Sequence, residues 1–77
     1  LMEKEAGISR SIEIPYLVKV NAAVLNVRAG AGTNYKITTQ VKKNQVYTIV
    51  DQKNNWGKLK SGAGWISLKY TIVVSIE

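Results

Sequence analysis

The segment that organises the chain reads Val24-Leu25-Asn26-Val27-Arg28-Ala29-Gly30-Ala31-Gly32-Thr33-Asn34-Tyr35. Leu25 and Val27 alternate with Asn26 and Arg28, and side chains alternate between the two faces of a strand. The first half of the segment therefore predicts a strand with two aliphatic side chains on one face and two hydrogen-bonding side chains on the other.

The second half of the segment predicts a loop. Gly30 and Gly32 permit backbone angles closed to residues with a Cβ atom, and the small residues around them let the loop lie close against whatever it covers. Tyr35 ends the loop with a ring that buries its body and leaves its hydroxyl in water. This tyrosine is therefore a candidate contact residue.

Period-two alternation on both sides of the segment predicts more strands. Pro15 interrupts the first one, which either lies at a sheet edge there or begins just after the proline. The predicted strands cover residues 12–20, 36–41, 46–51, 56–60, 65–67 and 71–76, with turns at 21–23, 42–45, 53–55 and 61–64 and one helical turn at 68–70. Six or seven short strands without an amphipathic helix predict a small all-β barrel or sandwich.

Composition weighs against an enzyme and a metal site. The 77 residues suffice for one domain with a small core. The chain has no cysteine and no histidine, so it lacks the thiolate nucleophile, the imidazole base and the commonest nitrogen ligand. We expect no cofactor.

Charge is concentrated in one part of the chain. Residues 16–71 carry nine Lys or Arg against a single acid, Asp51, which favours polyanionic partners such as nucleic acid, anionic lipid or phosphate-bearing wall polymers. No apolar run approaches the roughly 20 residues of a membrane span, and residues 1–15 lack the apolar core of a signal peptide. We expect residues 1–15 to be a linker with the start of the first strand.

Six short motifs follow one another along about residues 16–71. They are Leu25-Asn26-Val27-Arg28-Ala29-Gly30 with Tyr35, Lys42-Lys43, residues 46–50, Asn54-Asn55-Trp56, Gly64-Trp65-Ile66 and Lys69-Tyr70. This ordered series resembles the bacterial SH3-like (SH3b) domain family. It departs from that family in having Ala31 where a proline is frequent and Asn55 where a glycine is usual.

The resemblance implies an all-β, SH3-like barrel of five to seven short strands with at most one helical turn, spanning residues 16–77. It implies non-catalytic binding of the Gram-positive cell wall, either peptidoglycan or an associated teichoic polymer. The domain would target a peptidoglycan hydrolase, a phage endolysin or an autolysin, whose amidase or muramidase domain lies outside this chain. The expected location is the cell wall or the extracellular space.

Four aromatic residues are candidate ligand contacts: Tyr35, Trp56, Trp65 and Tyr70. An indole face offers apolar contact to a sugar ring or peptide while its N–H donates a hydrogen bond. The alternative is packing over an end of the barrel, which is as plausible as ligand contact for Trp65. Tyr47 alternates with Ile49 and is predicted to belong to the core.

Polar residues complete the candidate ligand site, namely Arg28, Asn34 and Lys58. The Arg28 guanidinium suits a carboxylate or a wall phosphate. Its structural alternative, which we favour slightly, is to bond loop carbonyls or stack on a tryptophan. The lysines together would concentrate the domain on an anionic wall in a salt-sensitive way.

Two other functions and one mode of assembly compete with wall binding. A small basic barrel with aromatic residues also suits single-stranded nucleic acid. The motif spacing instead favours the cell wall as the partner, so we expect neither a nucleic-acid partner nor a membrane partner. A proline-peptide binder ranks last because the loop has no acid. The apolar stretches 12–20 and 72–76 are able to pair with each other or with a second copy.

Overall fold

The computed structural model describes residues 13–76, and every structural statement below concerns these residues. They form seven strands and one 3₁₀ turn, which confirms the all-β prediction. The elements are β1 (Tyr16–Val20), β2 (Val24–Arg28), β3 (Ile37–Lys42), β4 (Val46–Lys53), β5 (Trp56–Leu59), β6 (Trp65–Ser67), the 3₁₀ turn (Leu68–Tyr70) and β7 (Thr71–Ile76).

All seven strands join one antiparallel sheet in the order β3-β2-β6-β5-β4-β1-β7. The register shifts between Leu17 and Val18, between Val27 and Arg28, and between Ile49 and Asp51. Such irregularities bend a strand and increase its twist. They let a single sheet wrap around one core, as the predicted small SH3-like barrel requires.

The first strand begins just after Pro15, at Tyr16. Of the two alternatives predicted for this proline, the structure therefore has the strand that starts after it and not an edge strand that contains it. β1 lies between β4 and β7, where a proline inside the strand would remove a ladder hydrogen bond. Ile14 is exposed, so the predicted alternation of buried residues starts at Tyr16. Ile12, the first residue of the predicted strand, lies outside the described residues.

Nine side chains form the core, and they follow the predicted period of two. β1 buries alternate residues, and β2 buries Leu25 and Val27 as expected. Tyr47 is half-buried and packs against this core. The buried residues are Tyr16, Val18, Val20, Leu25, Val27, Val41, Ile49, Leu59 and Ile66.

Tyr16 is the polar member of the core. Its hydroxyl donates a hydrogen bond of 2.6 Å to Oε1 of Gln52 on β4. Burial disfavours the charged phenolate and raises the pKa of Tyr16 above its ordinary value of 10.0. The hydroxyl therefore stays protonated, and its hydrogen bond connects β1 to the C-terminal end of β4.

The two apolar stretches predicted as pairing partners pair with each other, since β1 and β7 are neighbours. β7 remains a sheet edge, and its residues Ile72, Val73 and Val74 are exposed. Within residues 13–76, the structure contains no helix with the length and apolar character needed to cross a membrane.

Candidate functional site

The glycine loop, residues 29–36, is closed at its base by two hydrogen bonds. The backbone N–H of Ala29 donates to the carbonyl oxygen of Lys36 at 2.9 Å. Nη1 of Arg28 donates to the carbonyl oxygen of Tyr35, also at 2.9 Å. Arg28 therefore braces the loop through a carbonyl, which is the structural role favoured for it from the sequence.

The ring of Tyr35 lies directly on the loop backbone. A Cβ atom added at Gly30 would stand 2.6 Å from Cδ1 of Tyr35, and one added at Gly32 would stand 2.7 Å from Oδ1 of Asn34. Neither glycine has a positive φ angle. The close approach of a neighbouring side chain is therefore what requires glycine at both positions, and the special backbone angles that glycine permits are not used there.

A row of outward side chains crosses four strands beside this loop. In the ladder, Arg28 is opposite Trp65, Trp65 is opposite Lys58, and Lys58 is opposite Asp51. Directly opposed residues have Cβ atoms about 4.5–5.5 Å apart. The row therefore places one cationic residue on each side of Trp65, namely Arg28 on β2 and Lys58 on β5.

The aromatic groove is an open depression between the glycine loop and the β4–β5 turn. Its volume is about 530 Å³, and its lining is Ala29, Gly30, Ala31, Tyr35, Lys53, Asn54 and Trp65. Two aromatic rings supply apolar faces, the small loop residues allow a ligand backbone to come close, and Lys53 supplies a positive charge. This combination suits an extended chain of sugar rings or peptide units.

The β4–β5 turn brings Lys53 and Asn54 to the groove. Lys53 is opposite Trp56, so Asn54 and Asn55 form a two-residue hairpin turn. Their φ angles are 51° and 67°, as in the type I′ turn that matches the twist of paired strands. The predicted turn at residues 53–55 is confirmed, and its two asparagines are of a residue type that tolerates left-handed backbone angles.

The arginine groove is a second, smaller depression, with a volume of about 210 Å³. Tyr70 stands at this groove with Nζ of Lys69 5.5 Å from the centre of its ring, within the range of a cation–π contact. The lining residues are Ala22, Val24, Leu25, Asn26, Arg28 and Tyr70.

The seven candidate contact residues do not form one site. Tyr35 and Trp65 line the aromatic groove, and Arg28 and Tyr70 line the arginine groove. The remaining three, Asn34, Trp56 and Lys58, line neither. Trp56 and Trp65 are both half-buried, so both indoles keep part of their surface accessible, and Lys58 is exposed.

Three groove residues were missed by the sequence reasoning. The sequence pattern predicts Lys53 and Asn54 only as turn residues, and it places Asn26 on the polar face of its strand without a ligand role. The Asn26 side chain instead accepts a hydrogen bond of 2.9 Å from Nε2 of Gln40 on β3. The turn residues Lys53 and Asn54 meet the glycine loop only through the sheet order, which no local pattern in the sequence reveals.

The described part of the chain contains no cluster of side chains that could form a metal-binding site. Residues 13–76 contain no group of three or more His, Cys, Asp or Glu side chains placed to hold a metal ion. The two acids there, Glu13 and Asp51, line neither groove. Both grooves therefore face a ligand with cations and neutral donors.

Comparison with known proteins gives two matches of different extent. A family model described as "Bacterial SH3 domain" matches residues 23–72. The Bacillus subtilis (strain 168) protein named "Putative N-acetylmuramoyl-L-alanine amidase YrvJ" is 40% identical over 40 residues, which are 52% of this chain and 8% of that protein. The chain thus matches only a small part of this relative. No solved structure gives a significant match.

Proposed function

This chain belongs to the bacterial SH3 domain family, and we propose that it is a non-catalytic module that binds the bacterial cell wall. Residues 16–77 form the binding domain, and residues 1–15 connect it to a peptidoglycan hydrolase. The name of the Bacillus subtilis relative supports an amidase as that hydrolase. The expected surroundings are the Gram-positive wall, reached by a phage endolysin or a secreted autolysin.

The observation that carries this proposal is the aromatic groove. Its two rings and its small loop residues offer apolar contact and close backbone approach along an open surface. Saccharide rings and short peptides are ligands of this shape, because their binding depends on flat apolar contact combined with a few hydrogen bonds. None of the described residues that line the groove is an acid that would repel the carboxylates and phosphates of a wall.

Binding at this groove would act by tethering. A linked catalytic domain would meet its substrate at an effective concentration set by the linker, so even a weak contact keeps the enzyme at the wall. This role requires no catalytic group from the domain itself. It agrees with a chain that has no histidine and no cysteine.

Sedimentation with purified Gram-positive walls tests the proposal. We expect the 77-residue chain to sediment with walls and Tyr35→Ala to bind at least about tenfold more weakly, as for an aromatic contact at the centre of an interface. Ile37→Ala is the matched control, because Ile37 and Tyr35 are 48% and 47% exposed but Ile37 does not line the groove. Circular dichroism of both variants verifies the fold.

Charge in the groove is tested in the same assay. Lys53→Gln removes a cation from the aromatic groove, and Lys60→Gln removes one from an exposed position outside both grooves. We expect the first variant to weaken wall binding more than the second. Equal binding by Tyr35→Ala and the parent chain would overturn the site. Tight, salt-sensitive binding of a single-stranded oligonucleotide without wall sedimentation would overturn the function in favour of nucleic-acid binding.

A further inference from the structure

The arginine groove presents hydrogen-bond donors around an apolar floor. Arg28 has five N–H donors in a planar fork, and one of them bonds the carbonyl of Tyr35. Within residues 13–76, the other guanidinium N–H groups have no protein acceptor. A half-buried arginine with unused donors at the edge of a groove is suited to bind an anion.

Asn26 adds to this donor set. Its Oδ1 atom accepts from Gln40, so the orientation of its amide is fixed and its two N–H groups remain as donors. Asn26 and Arg28 both line the groove and point to the same face of β2, since they are two residues apart on a strand. They form a pair of neighbouring donor groups.

Among the residues that the structure describes, the charged side chains at this groove are both positive. Arg28 lines it, Lys69 lies over the Tyr70 ring at its rim, and none of the lining residues is acidic. An arginine fork binds a planar carboxylate through two parallel hydrogen bonds. The remaining lining, Ala22, Val24 and Leu25, is apolar and matches a small aliphatic side chain next to that carboxylate.

We propose that the arginine groove is a second binding site, which takes the free carboxylate of a peptide that ends in a small aliphatic residue. A phosphodiester fits less well, because its flanking groups are polar alcohols and would meet the apolar lining. The inference rests on the proposed function only for the source of the peptide, a wall stem peptide.

The test is a titration of the ¹⁵N-labelled 77-residue chain, followed by NMR. The probe is N-acetyl-D-alanyl-D-alanine, and its C-terminal carboxamide is the matched control that lacks the charge. We expect saturable shifts of the Arg28 Nε–H and the Asn26 side-chain amide, with an affinity at least tenfold higher for the carboxylate than for the carboxamide. Equal affinities, or shifts confined to the aromatic groove, would overturn the proposal.

Two variants separate recognition from loop bracing. Arg28→Lys keeps the charge but loses the planar fork, and Ala22→Phe fills the groove while leaving the bond between Arg28 and Tyr35 in place. Each is expected to weaken peptide binding at least fivefold, whereas Lys60→Gln is expected to leave it unchanged. Unaltered binding by Ala22→Phe, in a spectrum that shows a folded chain, contradicts the site.

Bis(glyceryl) phosphate, which carries a polar glycerol group on each side of the phosphate, serves as the phosphodiester probe. If it binds more tightly than the peptide, the carboxylate assignment is wrong. Wall sedimentation of the parent chain, measured alongside, distinguishes a failure of the second site from a failure of the proposed wall binding. Sedimentation without peptide shifts would refute the second site alone, whereas peptide shifts without sedimentation would support the second site and refute wall binding.

Discussion

At the scale of single residues, two turn glycines that look alike in the sequence have different roles in the structure. Gly62 has a φ angle of 86° and open space around it, whereas Gly64 has a φ angle of 141°. A Cβ atom at Gly64 would stand 2.3 Å from the carbonyl oxygen of Arg28. The single hydroxyl proton of Thr38 is shared between the carbonyl oxygens of Ala63 and Val27, which lie 2.8 and 3.1 Å from Oγ1. This turn is therefore fixed against the end of β2.

Alanine substitution separates the two glycines. Gly62→Ala is expected to cost about 1 kcal/mol, the usual penalty for a side chain in left-handed backbone. Gly64→Ala is expected to cost about 3 kcal/mol or more, because strain and a backbone clash add. Urea unfolding followed by tryptophan fluorescence measures both. Similar losses at the two positions would contradict the close packing of Gly64 on β2.

At the scale of elements, the β4–β5 hairpin contains Asn55, one of the two residues at which this chain departs from its family. Asn55 occupies the second turn position with a φ angle of 67°, where the resembling family usually has glycine. Type I′ turns favour Asn-Gly because both central residues have positive φ. Asparagine tolerates this geometry better than other residues with a side chain.

We therefore expect the stability order Gly, Asn, Ala at position 55. Asn55→Gly should stabilise the chain by about 0.3 kcal/mol, and Asn55→Ala should destabilise it by about 1 kcal/mol. Asn21→Gly is the control, because Asn21 has no positive φ and glycine there should destabilise by adding unfolded-state entropy. Urea midpoints decide the order. An Asn55→Gly variant less stable than the parent would contradict the turn assignment.

Most elements follow from the sequence because their signals are local. Alternation of apolar residues locates most of the strands, and the glycine and asparagine clusters locate most of the turns. The strand bounds shift by a few residues where pairing decides them: β3 runs to Lys42 because it pairs with Val24, and β4 runs to Lys53 because it pairs with Trp56. The ends of these strands depend on the residues of a partner strand, so the sequence of one segment alone does not predict them.

At the scale of the whole molecule, the candidate site is less predictable than the fold. The sequence identifies Tyr35 and Trp65 as separate aromatic residues, and only the sheet order brings both to one groove. It also groups Arg28 with them, although Arg28 lines the other groove. Which side chains converge depends on register and curvature over the full sheet, and these are non-local properties.

The net charge acts at this scale, and its effect is separable from that of the grooves. Residues 16–71 carry nine basic residues and one acid, so their summed field attracts an anionic wall over a distance that falls with salt. We expect wall retention to decrease steadily as sodium chloride rises from about 0.05 M to about 0.5 M, where the Debye length drops to a few ångströms. Tyr35→Ala should lower retention by a similar factor at every salt concentration, because contact with a ring is hardly screened.

Charge variants should behave in the opposite way. Lys60→Gln is expected to reduce the steepness of the salt dependence slightly and to leave retention at high salt unchanged, since it alters the field and no groove contact. Sedimentation assays at four salt concentrations measure both the steepness and the high-salt limit. If retention of the parent chain is independent of salt, the field makes no contribution and binding rests on the grooves alone. If Tyr35→Ala changes the steepness as Lys60→Gln does, the aromatic groove is not the contact surface.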